Sequence, residues 1–153
     1  MPQVTVILPT WNRAKWLKQS VESVLSQTFQ DFELIVVDDA STDSTKEVLE
    51  KYSGKIRTIF LPENLGVSAA RNTAIAQSDS KWVAFLDSDD FWHAEKLEKQ
   101  IKQATFLPKY QIHFTDEIWI RNGIRVNPKR SIKKEKAGYL NQVWLFVLWP
   151  LQL

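Results

Sequence analysis

Cysteine is absent from the 153 residues of this chain. That excludes a disulfide framework, a thiolate metal site and a cysteine nucleophile, and it fits a reducing compartment. Histidine is nearly absent too: His93 and His113 are the two present, far apart and in segments of different character, so a histidine-built metal site is not expected. No stretch approaches the ~20 consecutive apolar residues of a spanning helix. The N-terminal MPQVTVILPTWNR has no basic region followed by a long apolar run, so it does not read as a signal peptide. Internal repeats and low-complexity tracts are also lacking.

What is present is an ordinary globular composition, 44% apolar and 25% charged, in a length that suits one domain with a real core. The net charge of +2 conceals a division. Residues 1–120 hold 13 Lys+Arg against 17 Asp+Glu, a balance of −4, whereas residues 121–153 hold 7 against 1, a balance of +6. A basic tail of this kind either meets phosphates or an anionic membrane surface, or is simply solvated.

Strand and helix signals alternate over the first 110 residues. Val4–Leu8 reads as a strand closed by Pro9. Leu17, Val21, Val24 and Leu25 mark one helical face. Leu34–Val37 reads as a second strand stopped by Asp38-Asp39, and Ser44 with Glu47 has capping-box spacing for a short helix. Ile56–Leu61 is a third strand, and a small-residue helix over 68–76 follows with Ser68 as its cap. Trp82–Leu86 is a fourth strand, and Leu97, Ile101 and Ala104 share a face of a helix ending before Pro108. The strands are near-continuous apolar runs, which favours a mostly parallel α/β sheet covered by helices on both faces. Past Pro108, Ile118–Ile120 and Ile124–Val126 flank Asn122-Gly123, a hairpin signal. Residues 1–127 are thus expected to form the domain, with 128–153 a basic, then apolar tail that is not a domain of its own.

Ligands of open parallel sheets bind at the carboxyl ends of the strands. Three such ends here carry polar sequence: Pro9-Thr10-Trp11-Asn12-Arg13, Asp38-Asp39-Ala40-Ser41-Thr42-Asp43 and Asp87-Ser88-Asp89-Asp90. The carboxylates of Asp38, Asp39, Asp87, Asp89 and Asp90 would repel one another without a counter-charge. A hard divalent cation taking one or two carboxylates together with phosphate oxygens meets that need. Arg13 and Arg71 are the cations whose guanidinium forks match phosphate oxygens. Each residue also has a plainer role: Asp90 as a helix cap, Asp43 as a turn or cap residue, Trp11 as a lid over the core rather than a stacking platform.

The strings VTVILPTWNR, SVLSQTFQDFELIVVDDASTDST, NLGVSAARNTAI and WVAFLDSDDFWHAEKLEKQ resemble, in order and spacing, the family 2 glycosyltransferases, over about residues 3–103. The resemblance implies a GT-A, Rossmann-like fold, a nucleotide-diphospho-sugar donor (a UDP-sugar by family habit), and a divalent metal, Mg or Mn. It implies that Asp39, with Asp38 beside it, recognises the nucleobase. Pro9, Thr10, Asn12, Arg13, Arg71 and Ser88 would bind the nucleotide sugar. Asp89 would contact the metal, with Asp87 serving metal or ribose. It further implies transfer with inversion to an acceptor hydroxyl, whose identity the motifs leave open, and a carboxylate acting as general base.

That base is where the chain departs from the pattern. After Glu117 the sole acidic residue is Glu135, set among lysines, so Asp116 and Glu117 are the better choices. The likeness fails beyond about Gly138. We therefore expect either a transferase or, alternatively, a truncated or frame-shifted donor-binding fragment without the acceptor half. The loop after the first strand has no glycine, which argues against a sugar-nucleotide pyrophosphorylase. The acidic pair follows the second strand rather than the first, which argues against a phosphoaspartate receiver. No nucleic-acid partner is expected. A cytoplasmic location is expected, with weak peripheral membrane association at the inner face through the tail as one reading of Trp144 and Trp149, and packing on the sheet or an unfolded remnant as the others.

Overall fold

A computed structural model describes residues 1–113, 115, 118–121, 123–126 and 148–150. Its strands and helices alternate as β1 (Val4–Thr10), α1 (Ala14–Leu25), β2 (Phe32–Asp38), α2 (Thr45–Glu50), β3 (Arg57–Phe60), α3 (Val67–Ile75), β4 (Trp82–Phe85) and α4 (Lys96–Phe106). A hairpin of β5 (Trp119–Arg121) and β6 (Ile124–Val126) follows, and then β7 (Leu148–Pro150). The main sheet has the order β3-β2-β1-β4-β7. Pairs β1–β2, β1–β4 and β2–β3 are parallel, and β7 lies antiparallel on β4. The apolar end of the tail thus completes an edge of the sheet.

All seven residues of β1 are buried, as befits its central place. Val4, Val6 and Leu8 face a core shared with Leu17, Val21 and Val24 of α1 and Leu97, Ile101 and Ala104 of α4. Ile7 faces the other side, with Ile35, Val37 and Val83 against Ala70 and Ala74 of α3. Both faces being covered is what a continuous apolar strand requires. The alanines, four residues apart on α3, present small side chains to β1 and β2.

β1 runs through Pro9 instead of stopping before it. Gln3 O, just before β1, and Ile7 O within it accept from Trp82 N and Leu86 N, so odd-numbered positions bond toward β4, while Thr10 O accepts from Asp39 N on the β2 side. The missing N–H of Pro9 therefore points past the end of β4, where pairing has ceased at Ile7 opposite Phe85. Other boundaries also moved for local reasons. Helix α3 begins at Val67 with Gly66, at φ 87°, as its cap rather than Ser68. The Ser44 cap makes no side-chain hydrogen bond; Asp43 accepts from Thr45 N instead, at 3.0 Å. Helix α4 starts after Glu95, so Asp90 does not cap it. The hairpin forms where Asn122-Gly123 placed it, with Gly123 at φ 74°.

Sheet order reverses at β1, since β2 and β3 lie on one side and β4 on the other. This is the switch point at which open α/β sheets bind ligands.

Candidate functional site

The loops after β1, β2 and β4 and the start of α3 enclose a cleft of about 340 Å³ at that point. Pro9, Thr10, Trp11 and Arg13 line it from β1, Asp39 from β2, and Asp87, Ser88 and Asp89 from β4. Asn64, Gly66, Val67, Ala70 and Arg71 close it from the α3 side. Trp11 is 51% exposed, so it borders the cleft and does not cover the core. Thr10 is buried, and its Oγ1 has no hydrogen-bond partner among the described residues.

The acidic residues after β2 are spent on backbone. Asp39 is buried, and its two carboxylate oxygens accept from Leu65 N and Gly66 N, each at 2.8 Å. Its neighbour Ala40 sits at φ 59°, a left-handed conformation that costs a non-glycine residue on the order of 1 kcal/mol and turns the chain directly after the carboxylate. Asp38 is also buried; it accepts from the hydroxyl of Ser41 and from Ser41 N, and it does not line the cleft.

Asn12, likewise outside the cleft lining, sits at φ 51° and joins two loops. Its Oδ1 accepts from Thr42 N at 2.8 Å and Asp43 N at 3.2 Å, while its own N–H donates to Ser41 Oγ at 2.8 Å. Asp43 finishes the junction by accepting from Ala14 N and Thr45 N, the first residues of α1 and α2. Desolvation pushes its carboxyl pKa up, but the hydrogen bonds from Thr45 and Ala14 together outweigh it and hold the value below the ordinary one.

The acidic residues after β4 are held by side chains. Arg71 Nη2 donates to Asp87 Oδ1 at 2.6 Å, with its guanidinium 5.5 Å from the Phe85 ring centre. Arg13 Nε lies 3.8 Å from Asp89 Oδ2. The side chains of Asp87 and Asp89 are 47% and 54% exposed. Among the described residues no three His, Cys, Asp or Glu side chains converge as a ready-made metal site. Two half-exposed carboxylates on one rim nevertheless fit a hard cation that draws its remaining ligands from phosphate and water. His93 stands apart, exposed beside Glu95.

The cleft thus brings together Pro9, Thr10, Arg13, Asp39, Arg71, Asp87, Ser88 and Asp89, and leaves Asn12 and Asp38 behind the loops they brace. Asp116 and Glu117 lie outside the described residues. Asn64, Gly66, Val67 and Ala70 were not foreseen at the site. Their signal was the motif NLGVSAARNTAI itself, in which Asn64 and Gly66 precede a helix whose first turn reaches the cleft.

The chain resembles known proteins in sequence and in fold. The sequence model described as "Glycosyl transferase family 2" matches residues 5–145. The putative teichuronic acid biosynthesis glycosyltransferase TuaG of Bacillus subtilis is 43% identical over 104 residues, spanning 66% of this chain and 41% of that protein. The Escherichia coli enzyme WfgD, a UDP-Glc:α-D-GlcNAc-diphosphoundecaprenol β-1,3-glucosyltransferase, is 42% identical over 99 residues, 64% of this chain and 39% of its own. Among solved structures, S. aureus TarS in complex with UDP-GlcNAc superposes with a TM-score of 0.68 at 32% identity, covering 82% of this chain and 37% of that one. The mannosyltransferase PcManGT of Pyrobaculum calidifontis, in complex with GDP-Man and Mn2+, gives 0.68 at 27% identity, covering 76% and 36%. The chain therefore spans about two-fifths of the length of TuaG and WfgD.

Proposed function

Because the chain belongs to glycosyl transferase family 2, we propose that its cleft binds a nucleotide-diphospho-sugar together with a divalent metal and presents the sugar for transfer to an acceptor hydroxyl. One observation carries the reading. Asp39, the Arg13–Asp89 contact and the Arg71–Asp87 pair meet at the sheet's switch point, an arrangement matched to a base, a diphosphate and a cation.

Asp39 supplies the base selection. Its carboxylate is oriented by two backbone N–H groups and retains lone pairs for a further donor. A ring N–H, as in uracil or guanine, meets that requirement; the unprotonated ring nitrogens of cytosine and adenine oppose it. The UDP-GlcNAc and GDP-Man bound by the two structural neighbours are of the first kind. Arg13 and Arg71 are placed to transfer their contacts from carboxylate to phosphate oxygens, which guanidinium groups grip in pairs. Asp89, with Asp87, would hold the cation, whose chemistry is to neutralise charge on the departing diphosphate.

In the transfer the acceptor oxygen bonds to the anomeric carbon from the face opposite the diphosphate. The carbon–oxygen bond to the diphosphate breaks with its electron pair, inverting the centre, and the hydroxyl proton passes to a carboxylate base. Asp116 and Glu117 are the residues we assign to that base.

A second reading, donor binding with little turnover, is favoured by a specific feature of the cleft. Its described carboxylates are Asp39, Asp87 and Asp89, and donor binding as proposed already uses all three, on the base and on the cation, so none of them is left to take an acceptor proton.

A thermal-shift panel of UDP, GDP, CDP and ADP with and without Mn2+ tests the common part. Stabilisation by UDP or GDP that requires Mn2+ is expected, and indifference to all four would sink the proposal. Release of UDP from UDP-sugars in the presence of candidate acceptors then separates the two readings.

A further inference from the structure

Helix α1 buries a polar stripe. Ser20, Ser23 and Gln27 lie at i, i+3 and i+7, on one face of the helix and its C-terminal extension. Apolar residues would be the ordinary choice there, since a buried polar group costs stability unless it is bonded. These three are bonded, all to the stretch that runs from the end of β4 into the first turn of α4. Ser20 Oγ lies 2.9 Å from Ser88 O and 2.6 Å from Asp90 O. Ser23 Oγ accepts from Trp92 N at 3.0 Å. Gln27 donates to His93 O at 2.8 Å and accepts from Leu97 N at 2.9 Å. From Leu86 to Ala94 the segment has neither helix nor strand, so much of its backbone depends on α1 for partners.

Ser20 is the distinctive member. It is 1% exposed, and its single hydroxyl proton is shared by the two carbonyls that flank Asp89. The backbone on either side of Asp89 is thereby drawn inward onto α1, while the Asp89 side chain stays half-exposed at the cleft. We propose that Ser20 is a positioning residue for the donor site, fixing the loop around Asp89 before any ligand arrives. The proposal rests on the donor-site reading above. Its physical content is preorganisation: a loop already fixed does not have to be ordered when a ligand binds.

The test compares the wild-type chain with Ser20→Ala and with Ser20→Thr, which keeps the hydroxyl. Amide hydrogen exchange over residues 88–93 reports the loop directly, and it should accelerate about tenfold in Ser20→Ala while β1 and β2 amides keep their protection. Calorimetric titration with UDP reports the consequence. Its affinity with Mn2+ present should fall about tenfold in Ser20→Ala, with no more than about a twofold change without Mn2+, as expected for a residue supporting a metal ligand. Ser20→Thr should restore both. If Ser20→Ala does not fold, Ser20→Cys, which is close in size and a weak donor, carries the same expectations.

Unaltered exchange would overturn the proposal. So would an equal loss of UDP affinity with and without Mn2+, because that is the mark of general destabilisation. A wild-type chain that binds no UDP under either condition defeats the donor-site reading and the proposed role with it, even if exchange shows that Ser20 holds the loop.

Discussion

The two acidic corners of the cleft neutralise their charge by opposite means. After β2, Asp38, Asp39 and Asp43 are occupied by backbone N–H groups and a hydroxyl, partners that cannot leave without unfolding a loop. After β4, Asp87 and Asp89 face the side chains of Arg71 and Arg13, at 2.6 and 3.8 Å, with about half of each carboxylate side chain in solvent. Arginine can swing to another anion and fixed backbone cannot. On the proposed donor-binding function, the β2 corner therefore shapes the cleft and the β4 corner exchanges partners within it. Identical residue types at the ends of the two strands that flank β1 thus sit in different settings, one neutralised by fixed backbone and the other by movable side chains.

Three substitutions would break or sharpen that contrast. Asp89→Ala should produce the largest change: Mn2+-dependent affinity for UDP falls about a hundredfold, the upper end of what losing a metal-site partner costs. Stability meanwhile stays within about 0.5 kcal/mol of wild type, as for an exposed substitution. Calorimetry and urea denaturation check the two halves, and a large stability loss would show that Asp89 is framework after all. Asp39→Ala should invert the pattern. Stranding Leu65 N and Gly66 N should cost about 2 kcal/mol in denaturation, the scale of a hydrogen bond to a charged group, and nucleotide affinity should fall with or without Mn2+.

Asp43→Asn should have the smallest effect and the clearest pH signature. The folded carboxyl lies below its ordinary value of 3.8, so the stabilisation it provides is complete above that value and lost as pH falls through the folded one. The difference in melting temperature between wild type and variant should accordingly be steady near neutrality and shrink as pH drops from about 5 toward about 3. A gap independent of pH would mean that the folded carboxyl titrates at its ordinary value and that its charge adds nothing to the junction.

Much of this site is legible along the chain because the strands announce themselves. Apolar runs ending in Asp38-Asp39 and Asp87-Ser88-Asp89 put acidic residues at strand ends, and parallel pairing puts those ends on one edge. Caps were harder to read. Ser44 with Glu47 has capping-box spacing, yet Asp43 takes the N–H of Thr45 because that carboxylate already serves Ala14 across the junction. Ser68 offered a side-chain cap, yet the helix begins earlier because Asp39 takes the N–H groups of Leu65 and Gly66, and Gly66 tolerates the positive φ this requires. Both outcomes turn on a contact between residues far apart in sequence. The stripe of Ser20, Ser23 and Gln27 carries no periodic apolar signal, and only its opposition to the loop after β4 gives it meaning.

By itself the sequence determined the alternation of elements, the parallel character of the sheet, the family and the place of the acidic loops. These follow from local propensity, apolar patterning and short motifs, which are written in neighbouring residues. Tertiary structure alone decided which carboxylates remain able to change partners, that Asn12 and Asp38 brace loops behind the cleft, that α3 closes it, and that Leu148–Pro150 finishes an edge of the sheet as an antiparallel strand. Those outcomes depend on which backbone N–H or arginine arrives beside a given side chain, and that is fixed only when segments tens of residues apart are packed together.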